Sequence, residues 1–162
     1  MVKKSRFLLS MSLAVVLTTA ALSYADSVCS VHDGDTFTTC DGIKVRLFGV
    51  DSPELKQPLG PQAKVQLVKL VESHDVTLDC KGRSYKRRVC QVWQGSHDIG
   101  AAMVLAGYAF DSPQYSHGLY QEQEQAAKAG HLGVWKLSDG GERPWNYRRN
   151  RYGKKTTHSV FK

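Results

Sequence analysis

The sequence predicts a mainly β, α+β domain: a small barrel with helices packed on it. Three observations lead there. Short segments of strand-forming residues recur along the chain, separated by Asp/Gly-rich turns. Helical periodicity is confined to three stretches, with none of the strand–helix–strand alternation that builds a parallel sheet. Two pairs of cysteines stand nearly symmetrically about candidate turns, as residues facing each other across hairpins do.

Taken in chain order, the first segment lies outside the domain. Lys3, Lys4 and Arg6 precede a largely apolar run from Phe7 to Leu22, and Ser23-Tyr24-Ala25 puts small residues where an export peptidase reads. Residues 1–25 are expected to be a cleaved signal peptide, the run being short for a membrane span. A lipoprotein is disfavoured because Asp26-Ser27-Val28, rather than small apolar residues, precedes Cys29. The expected product is exported, periplasmic or secreted, and carries no membrane attachment. Cleavage leaves 137 residues, one ordinary domain, and takes the formal charge from +7 to +4. The remaining charge is uneven. Residues 143–162 hold seven Lys or Arg and no acid, so residues 26–142 sum to −3. The expected division is a domain over 26–142 and a basic, aromatic tail over 143–162.

Val28 to Thr39 reads as strand, bend and strand. A turn at Asp41-Gly42 leads to Ile43–Val50, where Ile43, Val45 and Leu47 alternate with Lys44, Arg46 and Phe48. Ala63, Leu67, Leu70 and Val71 give 61–74 the stripe of an amphipathic helix. Val76–Cys80 and Val89–Trp93 form a second hairpin through a basic tip. Ile99–Ala106 suggests a short helix ended by Gly107, and Leu119–Ala129 a surface helix closed by Gly130. The four cysteines of an exported chain imply two disulfides. Cys29 and Cys40 flank the Asp33-Gly34-Asp35 turn, and Cys80 and Cys90 flank Tyr85, so the expected pairs are Cys29–Cys40 and Cys80–Cys90. No C-x-x-C pair supports a zinc site.

Between Asp33 and Glu54, Asp33, Asp35, Asp51 and Glu54 cluster at turns and strand ends around Arg46. Clustered like charges stabilise nothing by themselves, so a cation or substrate is implied. The arginine makes that substrate an anion, with phosphate the first candidate. Metal-assisted phosphodiester chemistry follows. Each piece alone has a plainer reading: Asp-Gly-Asp-Thr as a turn, Arg46 as a solvated strand residue, Glu54 as a cap. Asp33 is expected to brace its turn. The six histidines lack ligand spacing, and Trp135 is expected in the core.

Asp33-Gly-Asp-Thr, Arg46-Leu-Phe-Gly-Val-Asp-Ser-Pro-Glu54, Tyr85-Lys86-Arg87 and Gly133-Val-Trp135 together resemble the staphylococcal-nuclease-like (thermonuclease) domains, over roughly Val28 to Trp135. The resemblance implies a five-stranded OB-type barrel with three helices and calcium-dependent (Ca2+) cleavage of DNA and RNA. It implies that Asp35 and Asp51 bind calcium through their side chains and Ser52 through its carbonyl. Glu54 matches the carboxylate that activates or positions the attacking water. Arg46 and Arg87 match the arginines on the scissile phosphate, with Arg88 as the alternative in a one-residue shift. Tyr85 and Tyr115 fall near the nucleotide-contacting tyrosines. The chain departs from the family in Lys86, which replaces a glycine, and in Pro113, where a second aromatic is expected.

Arg83, Lys86, Arg87 and Arg88 at the hairpin tip are expected to meet substrate. The tail interleaves Trp145, Tyr147 and Tyr152 with Arg143, Arg148, Arg149, Arg151, Lys154 and Lys155, a mixture suited to phosphates and stacked bases. Its plainer reading docks Pro144-Trp145 on the barrel and leaves the rest disordered, an expectation that a helix over the segment would overturn. The expected protein is thus a monomeric, exported nuclease acting on DNA, with RNA as a further substrate. The competing class is a non-catalytic nucleic-acid-binding module, which has no need of Asp35, Asp51 and Glu54 together. A smaller phosphodiester is a third candidate substrate.

Overall fold

Turns and strand alternation set the sheet. The computed structural model describes residues 25–158 apart from Ser73, with side chains described as far as Arg151. The predicted leader, up to residue 24, lies outside the described residues, as do the side chains of Tyr152, Lys154 and Lys155. The elements run β1 (Ala25–Val31), β2 (Thr36–Thr39), β3 (Lys44–Leu47), β4 (Val50–Asp51), α1 (Gly60–Val71), β5 (Asp75–Ser84), β6 (Arg87–Gln94), β7 (His97–Asp98), α2 (Ile99–Leu105), β8 (Phe110–Asp111), α3 (Pro113–Ser116), α4 (Gln121–Ala129) and α5 (Pro144–His158). Two 3₁₀ turns, Gly133–Lys136 and Ser138–Gly140, precede α5.

The main sheet runs β3-β2-β1-β5-β6-β7, and β6 also pairs in parallel with β3. That last ladder closes β3, β2, β1, β5 and β6 into a five-strand circuit, the barrel topology expected. Closure leaves no free edge between β3 and β6. Val45 and Leu47 face inward with Phe37, Val76 and Val92, and Ala63, Leu67 and Val71 of α1 cover them. This is the alternation of β3 and the stripe of α1 read from the sequence. The Asp41-Gly42 turn is present, with the Thr39 amide donating to the Ile43 carbonyl at 3.0 Å. Asp98 caps α2 by accepting from the Ala101 amide, and it also takes the hydroxyl of buried Tyr120 at 3.1 Å. Burial and that carboxylate push the Tyr120 phenol well above its ordinary pKa.

More helices are present than the three expected, which are α1, α2 and α4. α3 is a single turn started by Pro113, too short to show a period. α5 lies in a segment so polar that no apolar stripe marks it. Among the described residues no helix is long and apolar enough to cross a membrane.

Both expected disulfides form. The reason in the second hairpin is a bulge. Around the tip, Ser84 pairs with Arg87 and Gly82 with Val89, a register that would put Lys81 opposite Cys90. Lys81 is instead extruded, so Cys80 faces Cys90. In the first hairpin the bulge falls at Cys29 itself, between Val28 and Ser30. Cys29 and Cys40 are both exposed, so their bond acts chiefly on the unfolded chain. Cys29→Ser with Cys40→Ser should lower the unfolding free energy by about 2–3 kcal/mol in urea titrations. A loss below about 0.5 kcal/mol would mean the unfolded chain is already constrained there.

Candidate active site

The site grows from three chain turns that meet at one end of the barrel. The first is the bend after β1. Asp33 accepts from the Asp35 amide at 3.1 Å, bracing the turn as its plain reading has it. Gly34 is crowded: a Cβ there would lie 2.7 Å from both Ala63 and Ser52, so the turn sits directly on α1. Asp35 is buried, at 3 % exposure. Its Oδ1 accepts from the Thr36 hydroxyl at 2.9 Å, and its Oδ2 from the Ser52 amide at 2.8 Å.

The second element is the end of β4. Asp51 is as buried as Asp35, and its strand is held by β8, where Asp51 opposes Phe110. Ser52 ties this strand end back to the first turn through its hydroxyl, which donates to the Gly34 carbonyl at 2.9 Å. Glu54 follows Pro53 and is fixed through its backbone, the amide donating to Gln57 Oε1 at 2.9 Å. Gly60 closes this loop: a Cβ there would fall 2.0 Å from the Glu54 carbonyl oxygen.

Arg46 projects from β3 between the two buried acids. Its Nη2 donates to Asp51 Oδ1 at 2.7 Å and to the Val50 carbonyl at 3.1 Å, and its Nη1 meets Asp35 Oδ1. Burial pushes the guanidinium below its ordinary pKa while Asp51 pulls it back up. With an ordinary pKa this high, it stays charged. Two carboxylates out of water need that charge.

The β5–β6 tip supplies the third part. Tyr85 and Lys86 connect the strands, Tyr85 with a left-handed φ of 55° and 96 % exposure. A tyrosine held there costs about 1 kcal/mol or more, a strain common at binding sites. The parallel ladder sets Arg46 beside Val89, and strand alternation puts Arg87 on the same face. Arg87 donates to the Ser84 hydroxyl at 3.4 Å. Arg46, Asp35, Asp51, Ser52, Glu54, Tyr85, Arg87 and Tyr115 all line one cleft of about 560 Å³. Arg88 and Lys86 do not line it. Of the two registers left open for the second arginine, the cleft takes Arg87. Tyr115 stands on α3, 61 % exposed, and Pro113 begins that helix.

Two residues of the site were not legible as such. Gln57 bridges the Glu54 amide and the Glu142 carbonyl, the latter at 2.9 Å. Arg148, 97 residues from its partner, forks onto Asp51: Nη1 to Oδ1 at 3.0 Å and Nη2 to Oδ2 at 2.6 Å. Nη1 also reaches Glu54 Oε1 at 2.8 Å. Hydrogen bonding to Asp51, and then to Glu54, holds the Arg148 proton more tightly than usual despite partial burial. The tail docks at Trp145, whose ring lies 6.3 Å from Phe110, while Arg143 stacks between Phe110 and Trp135. Trp135 is buried, as expected. The available signal was the mixture of aromatics and arginines in the tail, which marked a surface but not a destination.

The donor set is all oxygen. Among the described residues no three His, Cys, Asp or Glu side chains converge as a metal cage. What converges is two buried carboxylates, a backbone turn and two or three guanidiniums around an open cleft. That arrangement can hold an anion against arginines beside an acidic pocket.

The chain is similar in sequence to known proteins. The family model described as "Staphylococcal nuclease homologue" matches residues 44–137. An uncharacterized endonuclease of Haemophilus influenzae is 34 % identical over 139 residues, covering 80 % of this chain and 78 % of that one. A probable staphylococcal-like nuclease of Oryza sativa is 32 % identical over 110 residues, 67 % of this chain and 22 % of its own length. A staphylococcal-like nuclease of Arabidopsis thaliana is 31 % identical over 113 residues, 68 % of this chain and 34 % of its own length. The chain therefore spans about a third or less of these plant proteins but most of the bacterial one. By the family match over more than half of the chain and by the bacterial relative, this chain belongs to the staphylococcal nuclease homologue family.

Proposed function

We propose that this protein is an exported nuclease that hydrolyses phosphodiester bonds of DNA and RNA with calcium and little sequence preference. The observation that carries the reading is the single cleft shared by Asp35, Asp51, Glu54, Arg46 and Arg87. Calcium prefers hard oxygen ligands at variable geometry, which Asp35, Asp51, the Ser52 carbonyl and water would provide. Bound there, the cation would supply positive charge beside the phosphate and a site for water. So few protein ligands imply weak binding, on the order of high micromolar to millimolar.

The chain's own residues do the rest. Arg87 offers paired N–H groups to phosphate oxygens, which gather charge as the bond to the leaving oxygen breaks, and Arg46, whose Nη2 hydrogens are both held by the protein, adds its charge and its remaining N–H groups. Arg46 arrives pre-oriented, locked by Asp35, Asp51 and the Val50 carbonyl. Arg87 sits on a strand end with one hydroxyl partner and is freer to follow the substrate. Glu54, its backbone fixed by Gln57, would orient the attacking water or take its proton. Tyr85 and Tyr115, both exposed at the cleft mouth, offer faces for bases. Two disulfides and the leader sequence support export.

The test is digestion of single- and double-stranded DNA and of RNA by the chain from residue 26 onward. Cleavage is expected in calcium and is expected to vanish on adding chelator; magnesium should bind with poorer turnover. Tight binding without cleavage in any metal would leave a nucleic-acid-binding module instead. Cleavage of dinucleotides but not polymers would move the substrate to small phosphodiesters.

A further inference from the structure

Among the described residues that line the cleft, Arg148 is the arginine that the nuclease reading leaves without a role. It is 38 % exposed at its side chain, lies at the cleft wall, and grips Asp51 with both amino groups. We propose that Arg148 is a third phosphate-binding arginine, supplied by α5, which leaves Asp51 for the substrate when a cation takes that carboxylate. The inference rests on the nuclease reading above.

Three observations carry it. First, the two uses of Asp51 compete. Arg46 and Arg148 share Oδ1 and Arg148 takes Oδ2, so a divalent cation bound by Asp51 meets a guanidinium on the same atoms. Like charges at such a separation repel strongly, and the more exposed arginine is the one able to move. Second, the helix can stay while the side chain swings. α5 is pinned at its start by Trp145 and Arg143 on Phe110, the residue opposite Asp51, and by the Gln57 bond to the Glu142 carbonyl. The released guanidinium remains in the cleft, on its flexible stem. Third, Arg148 stands where the cleft opens into a second groove of about 250 Å³, lined on the α5 side by Tyr147 and Arg151 and on the other by Lys56, Leu55 and the acids Asp33 and Glu54. Arg148 and Arg151 are one helical turn apart on one face, and Arg151 lies over the Tyr147 ring at 6.0 Å. Cations flanking an aromatic ring suit the next phosphate and base of a single strand. The substrate chemistry is thus a nucleic-acid strand running from the scissile phosphate along α5.

A purely structural ion pair would predict something different, and binding separates the two. The probe is a labelled single-stranded oligonucleotide with phosphorothioate linkages, followed by anisotropy in calcium and in chelator. Calcium affinity is measured separately by calorimetry. In calcium, Arg148→Gln should raise the oligonucleotide Kd by about tenfold or more, the usual effect of losing a charged hydrogen-bond partner. In chelator the change should be much smaller, because Arg148 is then held by the acids. Arg148→Gln should also bind calcium several-fold more tightly, since the cation no longer has to displace a guanidinium. An unchanged oligonucleotide Kd in calcium, or calcium affinity unchanged or weakened, overturns the proposal. Thermal unfolding checks that the variant folds. Should it not, Arg148→Lys, which keeps the charge but loses the fork, must still weaken binding in calcium, and an unchanged Kd overturns the proposal. Arg87→Gln runs alongside. If it weakens binding and the Arg148 variants do not, this inference fails alone; if wild type does not bind, the nuclease reading fails first.

Discussion

Glu54→Gln is expected to lower kcat by about 10²–10⁴-fold while leaving KM and the melting temperature nearly unchanged. The structure makes this substitution unusually clean. Glu54 is held through its backbone, by Gln57 and by the close approach of Gly60, and neither contact involves its carboxylate. A glutamine oxygen still accepts from Arg148, so the bridge to α5 survives. What disappears is the negative charge and the capacity to take a proton. Steady-state rates with calcium saturating, beside a thermal melt, give the answer. Activity within about threefold of wild type would remove Glu54 from the chemistry and leave it as a partner of Arg148 alone.

The two arginines should fail in different ways. Arg87→Lys should lower kcat by about 10²–10⁴-fold with little change in stability, because among the described residues its side chain is held by a long bond to the Ser84 hydroxyl. Lysine keeps the charge but not the paired donors, so a mild effect would mean that Arg87 acts only as a point charge. Arg46→Ala should lose comparable activity and also about 3–5 kcal/mol of stability, because Asp35 and Asp51 are buried against it. Urea unfolding of both variants separates the cases. Equal stability for Arg46→Ala and wild type would mean that Arg148 alone can compensate both acids. The contrast follows from position, since Arg46 is wedged between two buried acids and Arg87 lies near a hairpin tip.

Much of this architecture is local and therefore legible. Alternation in Ile43–Val50 follows from the two-residue period of a strand, and it put Val45 and Leu47 inside and Arg46 on the cleft face. The stripe in α1 follows from the helical period, and its buried positions include Ala63, Leu67 and Val71. Both disulfides were read from symmetry about turns. That symmetry worked in the second hairpin because a bulge at Lys81 moved the register by one residue. The acid cluster was legible because each member sits at a turn or strand end near the others in sequence.

The remainder depended on contacts between distant segments. Arg87 and Arg88 are indistinguishable by type and differ by one step, and one step reverses the face of a strand. Only the parallel ladder between β3 and β6, joining residues more than forty apart, assigns the cleft face to Arg87. Gln57 and Arg148 gained their places through bonds spanning 85 and 97 residues. α5 carries no apolar stripe, so its docking rests on Trp145 and Arg143 finding Phe110. By itself the sequence determined the barrel, its cross-links and the clustering of acids around Arg46, because turns, periods and neighbouring charges are short-range properties of the chain. Which arginines face the acids was decided by tertiary structure alone, because it depends on strand register and helix docking, which exist only once the barrel has closed.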